Sequence, residues 1–388
     1  MNLLMLAIRE TTTLDRLKAA VNALCAPEYF VSISVGLFAL MLLTYRAWTR
    51  PAAALALTIA VCAVYFGSMA DPNFLKIITK PDNIPISMMI FSVGFFLWLA
   101  LRQAAVNDRS TARGRPLIEA GADDKVLVWP DLVYTELIAL VICTVVLIVW
   151  AIILKAPLEP PANPSAIPNP SKAPWYFLGL QELLVYFDPW IAGVLLPGFI
   201  IFGLIALPFI DRNPRGNGYY TLKERPFVLS VWLFGFVIMW CVLIVVGTFL
   251  RGPNWNFFGP YEYWDPHRPV ALLNINVAEV FWVVMPSRWP SLPWKPGLPE
   301  QALLGGIIPA WAIREAPGIA LLGVYFFLLP AALAKTVFRR LYGQMGLARY
   351  AVFWILLSWM LLVPIKMVLR WLFNLKYFVA ITEYFFNI

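Results

Sequence analysis

Residues 129–154 read WPDLVYTELIALVICTVVLIVWAIIL, with the two acidic residues, Asp131 and Glu136, confined to the beginning of the run. A continuous apolar run of about 20 residues is long enough to cross a bilayer as an α-helix. Similar runs occur at 29–46, 52–69, 84–102, 190–210, 227–250, 317–337 and 350–370. The sequence therefore predicts an all-α polytopic membrane protein with about eight transmembrane helices.

The composition supports this fold class. The chain has 388 residues, of which 61% are hydrophobic and 13% charged, whereas soluble domains are about half apolar and a quarter charged. The long continuous runs argue against a β-barrel, whose strands alternate. The net charge of +8 fits basic residues that flank membrane spans, and the absence of a basic stripe with interleaved aromatics argues against nucleic-acid binding.

The distribution of basic residues predicts an orientation. The chain has 30 Lys and Arg residues. Fifteen of them lie in the loops that follow the first, third, fifth and seventh spans, or at the span ends that flank these loops. Ten lie on the other side once the long 251–316 connection is set aside, because the positive-inside rule counts only short loops. We therefore expect the first set to be cytoplasmic, and both termini and the loops 70–83, 155–189 and 251–316 to face outward.

The predicted spans and linkers divide the chain into six parts. These are an interfacial N-terminal segment (1–28), a three-helix membrane extension (29–105), a cytoplasmic linker (106–128), a central membrane domain (129–250), an outer-surface loop rich in Trp and Pro (251–316), and two C-terminal helices with a tail (317–388). In the last span, Lys366 and Arg370 are four residues apart on one helix face, and we expect both to extend toward the membrane surface.

The loop after the fourth span carries the most informative motif. Seven prolines fall between residues 157 and 174, and proline fixes φ and cannot donate a backbone hydrogen bond. We expect a stiff extended strap, although an ordinary Pro-rich loop has the same composition. The strap leads into Ala173-Pro174-Trp175-Tyr176-Phe177-Leu178 and a short amphipathic stretch that ends at Asp188-Pro189.

This order of motifs resembles the C-terminal domain of cytochrome b and equally its detached form, subunit IV of b/f-type complexes. The resemblance covers residues 129–212, is slight before 127 and weakens after about 250. It is carried by Pro130-Asp131, Pro161-Ala162-Asn163-Pro164, Trp175-Tyr176-Phe177-Leu178 and Pro189-Trp190. The layout also resembles chains of bacterial bc-type quinol:cytochrome c oxidoreductases with a split cytochrome b.

The resemblance implies a role at an outer quinol-oxidation site. The residues expected to contact quinol, for which a bacterial setting allows menaquinone, are Pro174, Trp175, Tyr176, Phe177 and Leu178. The implied partners are a haem-bearing cytochrome b N-terminal subunit, a Rieske iron–sulfur protein or c-type cytochrome or both, and membrane lipids. The complex is expected to be a dimer that translocates protons across a bacterial cytoplasmic membrane, and this chain would not be catalytic alone.

The sequence departs from the family pattern at one functional position. Family members have Pro-Glu before the Trp-Tyr pair, and that glutamate accepts a quinol proton, whereas Ala173-Pro174 cannot accept one. Quinol oxidation needs a proton acceptor near the ring, and Glu182 is our candidate because it lies only about 80° from the helix face of Pro174 at 100° per residue. The alternative is that Glu182 belongs to the solvated face of an interfacial helix. Asp188 is a weaker candidate, since Asp-Pro often ends a helix.

Haem ligation argues for a separate haem subunit. Haem b in this family needs two histidines per iron, and this chain has one histidine, His267, in a predicted outer loop. The four cysteines form no Cys-x-x-Cys, so no metal site or covalent haem is expected. Haem b would therefore belong to the partner subunit.

Two other functions stay open. The chain could be a structural subunit of the redox complex with an inactive quinol site, which the missing glutamate favours. It could also be a secondary transporter, although we find neither an inverted repeat nor charges at the middle of the spans.

Overall fold

The computed structural model describes residues 13–121, 125–154, 161–165, 167–269, 273–303 and 306–388. The first twelve residues of the predicted interfacial segment, and parts of the linker, the strap and the outer loop, lie outside the described residues. Within the described ranges the helices are α1 Thr13–Leu24, α2 Pro27–Leu43, α3 Tyr45–Trp48, α4 Pro51–Ser68, α5 Pro72–Ile78, α6 Pro81–Ala112, α7 Val128–Ile153, α8 Leu178–Leu183, α9 Ile191–Ile210, α10 Pro226–Leu250, α11 277–288, α12 Ala310–Arg314, α13 Ala316–Lys335 and α14 Arg339–Phe373.

Seven of these helices, within the described ranges, are long and apolar enough to cross a membrane: α4, α6, α7, α9, α10, α13 and α14. An eighth span results if α1 and α2, which meet at 80°, count as one. The predicted all-α polytopic fold is therefore confirmed. Several helices start with proline in the first turn, a position where its missing N–H costs nothing, and Asp71 caps α5 by accepting hydrogen bonds from the amides of Asn73 and Phe74.

The main apolar core lies around the stretch that follows the Trp-Tyr motif. Tyr186 and Phe187 are completely buried there, with exposed fractions of 1% and 0%. They pack with side chains of the surrounding helices, which are Val31 of α2, Ile191, Ala192 and Leu196 of α9, Leu243, Val246 and Leu250 of α10, and Leu362, Val363 and Met367 of α14. The amphipathic stretch is therefore built into the end of the bundle, where its burial contributes to the stability of four helices.

Lys366 lies inside this core, and the prediction that it extends to the membrane surface is wrong. Its side chain is 1% exposed, and its ammonium nitrogen lies 4.7 Å from the ring centre of Phe187 and 5.5 Å from those of Tyr377 and Phe378. Aromatic faces attract a cation, and the three rings close around Lys366 because the C-terminal tail folds back over α14.

The C-terminal tail is held by short strand pairs. β1 Ile275–Asn276 runs parallel to β2 Leu375–Tyr377, and β3 Ala380–Ile381 runs antiparallel to β4 Phe386–Asn387. Buried Glu315 accepts a hydrogen bond from the Ala380 amide at 3.0 Å. These contacts place the tail against the residues that follow α8.

A second polar anchor lies at the opposite end of the bundle. The buried carboxylate of Asp108, in the last turns of α6, accepts hydrogen bonds from Tyr45 Oη at 2.7 Å and from the Thr221 hydroxyl. The backbone amides of Leu222 and Lys223 also donate to it. One carboxylate therefore ties the N-terminal helices to the loop between α9 and α10.

Two spans bury little against the rest of the chain. Neither α4 nor α7 has a buried residue, and the apolar side chains of α7 are exposed around its circumference. In a membrane, this surface faces lipid or another subunit.

Candidate functional site

The Trp-Tyr motif forms a turn at the start of α8. Trp175–Phe177 make one 3₁₀ turn directly after Pro174, whose backbone is extended. The Gln181 side chain fixes the approach to this turn, because its Nε2 donates to the Ser171 carbonyl at 2.9 Å and its Oε1 accepts from the Ala173 amide at 2.8 Å. The end of the strap is thereby held against α8.

The motif residues divide into an exposed and a buried set. Tyr176 and Phe177 are 46% and 49% exposed, with ring centres 4.6 Å apart, whereas Leu178 is 3% exposed. Trp175 is half-buried, and Pro174 is exposed. Exposed aromatic rings on a fixed turn provide an apolar surface with a phenol hydroxyl, which suits a ring-shaped ligand.

Close backbone contact between α8 and α10 positions this turn. A Cβ added at Gly247 would lie 2.9 Å from the Leu178 carbonyl oxygen, so only glycine allows this approach. Leu178 also packs on Ile244 of α10 and on Ile86 of α6. The N-terminal extension therefore contributes a wall to the motif through Ile86, a role that the sequence analysis did not predict.

Glu182 lies in α8 with an exposed fraction of 0% and forms a buried ion pair with Arg251. Arg251 Nη2 donates to Oε1 at 2.7 Å, and Arg251 Nε donates to Oε2 at 2.9 Å. Trp255 Nε1 donates to Oε2 at 3.1 Å, and the Tyr186 hydroxyl lies 3.4 Å from Oε1. The carboxylate thus joins α8 to the end of α10 and to the outer loop.

This bidentate geometry sets the chemistry available to Glu182. Both carboxylate oxygens of Glu182 accept hydrogen bonds from charged or polar donors. A guanidinium group that donates two parallel hydrogen bonds to one carboxylate forms one of the strongest ion pairs in proteins. Accepting a proton would remove the counter-charge of a buried arginine, which is costly. Arg251 was not predicted, because 69 residues separate it from Glu182.

Lys172 is a second basic residue beside the motif. Its Nζ donates to the Thr248 carbonyl at 2.7 Å and lies 4.7 Å from the ring centre of Trp264. Desolvation, with the positive charges of Lys80 and Arg251, lowers the pKa of the Lys172 amine to about 7, although Glu182 acts in the opposite direction. A large fraction of this amine is therefore neutral near pH 7.

The remaining acidic candidates lie elsewhere. Asp188, after α8, accepts hydrogen bonds from the Tyr377 hydroxyl at 3.1 Å and the Asn387 amide at 3.4 Å, so it holds the C-terminal tail. Asp131 and Glu136 are exposed at the start of α7.

Haem ligation does not fit this chain. His267 is exposed in a turn, where its amide donates to the Asp265 side chain at 2.9 Å. In the described part of the chain no three His, Cys, Asp or Glu side chains cluster so as to hold a metal ion. An axial haem ligand must reach iron from inside a helix bundle, and His267 lies outside it.

Comparison with known protein families finds a match in the part of the chain that holds the motif turn. Residues 161–261 match the model of the family described as Cytochrome b(C-terminal)/b6/petD. The match includes the strap from residue 161 onward, the motif turn, α8, α9, α10 and Arg251. No solved structure matches the chain. This family match implies a multi-pass membrane subunit of a quinol-oxidising b6f/bc-type complex, with a cytochrome b N-terminal partner. Residues 161–261 are therefore similar to the cytochrome b C-terminal domain, which is consistent with a subunit IV-like chain.

Proposed function

We propose that this chain forms part of the outer quinol-oxidation site of a respiratory quinol:cytochrome c oxidoreductase, beside a separate haem b subunit. The proposed setting is a bacterial cytoplasmic membrane, with a dimeric complex, menaquinol as substrate and proton translocation across the membrane. A Rieske iron–sulfur protein, a c-type cytochrome or both would take the electrons. This chain would supply the motif turn and bind no haem.

The observation that carries the proposal is the fixed, exposed motif turn. Tyr176 and Phe177 present their rings on one side of the turn, while Leu178 secures the other side in the bundle. Binding sites for small apolar molecules are largely preformed and combine apolar walls with a few polar groups. The turn supplies one such apolar wall with a phenol hydroxyl, and it lies within the matched family region.

Photoaffinity labelling tests the proposed site. A photoreactive menaquinone analogue added to the purified complex should label peptides that contain residues 174–178, and excess unlabelled quinone should prevent the labelling. Phe177→Ala should weaken labelling, whereas Phe209→Ala, an exposed change at the other end of α9, should leave it unchanged. Labelling confined to the partner subunit would contradict the proposal.

Glu182 as a proton acceptor is part of this proposal. We expect Glu182→Gln to lower quinol turnover by about 10²–10⁴-fold, because an amide cannot accept the proton. The amide oxygen can still bond Arg251, so haem content and quinone labelling should be largely retained. Glu300→Gln, an exposed change in the outer loop, is the matched control.

Unchanged turnover in Glu182→Gln would exclude the proton-acceptor role. It would favour the second candidate function, a structural subunit with an inactive quinol site. Two observations support that candidate. The Ala173-Pro174 pair stands where the family has an acidic residue, and Glu182 is already paired with Arg251 in a buried salt bridge.

A further inference from the structure

Buried polar groups without partners gather around Lys172. Among the described residues, the hydroxyl of Thr248 and the indole N–H of Trp264 are buried without a hydrogen-bond partner. Thr248 is 0% exposed, and its carbonyl receives the Lys172 hydrogen bond, while Trp264 lies under the Lys172 amine. Buried polar groups are almost always hydrogen-bonded in folded proteins, so this cluster has unused capacity to bind a polar ligand.

We propose that Lys172 is the first proton acceptor for the bound hydroquinone, and that Thr248 and Trp264 bind the ring oxygen that loses the proton. This inference rests on the proposed function and names the residues that would perform its acid–base step. Lys172 is only half-buried and immediately precedes Ala173-Pro174. A base there would take the role that the missing family glutamate leaves open.

The proton transfer is balanced without an added reagent. The O–H bond of one hydroquinone hydroxyl breaks and an N–H bond forms at Lys172 Nζ, so the amine becomes an ammonium and the hydroquinone its monoanion. No electron moves in this step. Electrons would leave the monoanion afterwards, to an iron–sulfur or haem centre in a partner subunit, and Glu182 would accept the second proton.

The surroundings of Lys172 suit both protonation states. The new ammonium can keep its bond to the Thr248 carbonyl and gains attraction from the Trp264 ring, since cations bind aromatic faces. The charged groups that act on the amine are Lys80 before α6, Arg251 after α10 and Glu182 in α8. The two positive groups oppose protonation and Glu182 favours it, so the amine can accept a proton and later release it.

Substitutions in the purified complex test this role. We expect Lys172→Met and Lys172→Arg each to lower quinol turnover by about 10²–10⁴-fold, with haem content and photolabelling of residues 174–178 retained. Methionine has no proton-accepting nitrogen, and arginine stays protonated. Lys76→Met, an exposed change on α5, should not alter turnover. If Lys172→Arg restores turnover, the residue supplies only a positive charge and the proposal is wrong.

The pH dependence gives a second signature. A base must be neutral to accept a proton, so turnover of the parent complex should fall as pH drops below about 7, approaching tenfold for each pH unit. The residual turnover of Lys172→Met should not show this fall below about pH 7. If turnover of that variant falls with pH as it does in the parent complex, another group is responsible for the pH dependence.

Labelling of the unmodified chain provides a test that needs no variant. An amine-acetylating reagent reacts with the neutral amine, so acetylation of Lys172, followed by mass spectrometry, should rise with a midpoint near pH 7. A quinone analogue should protect Lys172 but not the reference residue Lys76. Absence of protection, in a complex where residues 174–178 are photolabelled, would overturn the Lys172 assignment while leaving the proposed function intact. If residues 174–178 are not labelled either, the proposed function itself fails.

Discussion

Arg251→Met is expected to destabilise the end of the bundle that holds α8 by about 3–5 kcal/mol, because it leaves the Glu182 carboxylate buried without its partner. The Glu182 side chain is 1% exposed, so water cannot replace the lost donors. Trp255 and Tyr186 would still donate, but neither carries a charge. The measurement is thermal unfolding of the purified complex in mild detergent, together with recovery of the chain in the assembled complex.

A double variant separates the ion pair from other effects of Arg251. Glu182→Gln combined with Arg251→Met removes the buried charge as well as its partner, so it should be more stable than Arg251→Met alone. Arg268→Met breaks a surface pair with Glu262 whose side chains are 45% and 36% exposed, and such pairs contribute about 0–1 kcal/mol. A double variant as unstable as Arg251→Met would show that Glu182 is not the reason for the loss.

Asp108→Ala is expected to cost at least about 4 kcal/mol, because four donors lose a buried anionic acceptor and each unsatisfied buried donor costs about 1–3 kcal/mol. The donors are Tyr45, Thr221 and the amides of Leu222 and Lys223. The effect should be local as well, with faster proteolysis in the loop between α9 and α10.

Asp108→Asn should have a smaller effect, since its amide oxygen keeps one acceptor. Asp82→Ala is the control, because Asp82 is 67% exposed in a surface pair with Lys80. If Asp108→Ala neither lowers the unfolding temperature nor speeds cleavage of the loop, the anchor contributes little and other contacts must hold the N-terminal helices to α10.

The sequence predicted the spans because their signal is local. A run of about 20 apolar residues is visible without knowing its neighbours, and α7 and α10 follow the predicted runs within a few residues. The motif was also visible in the sequence, because Pro174 and the aromatic residues after it are adjacent in the chain, but the 3₁₀ turn that these residues form was not predicted. The resemblance to cytochrome b depended on this order of local motifs, and the family match confirmed it.

The contacts that complete the site were not predictable in the same way. The length of an apolar run shows that a helix can cross the membrane, but it does not show which other helix that span packs against. Arg251 meets Glu182, and Ile86 meets Leu178, only because α6, α8 and α10 pack together. The prediction that Lys366 reaches the surface was wrong for the same reason, since the rings around it come from the segment that follows α8 and from the C-terminal tail.

Haem binding by this chain is limited by both its composition and its fold. A single histidine is a fact of the sequence, and its position outside the bundle is a fact of the fold. Together they support the proposal that haem b belongs to another polypeptide. They also make the composition of the complex the most informative quantity to determine.

The most direct test of the split-cytochrome account is affinity purification of the tagged chain in mild detergent, followed by a dithionite-reduced minus oxidised spectrum. The account predicts a b-type α-band that co-purifies with a second, histidine-rich membrane subunit and disappears from the preparation when that subunit is removed. A stable preparation of the chain with neither haem nor partner would contradict it, and substrate flux in liposomes would then be the next assay.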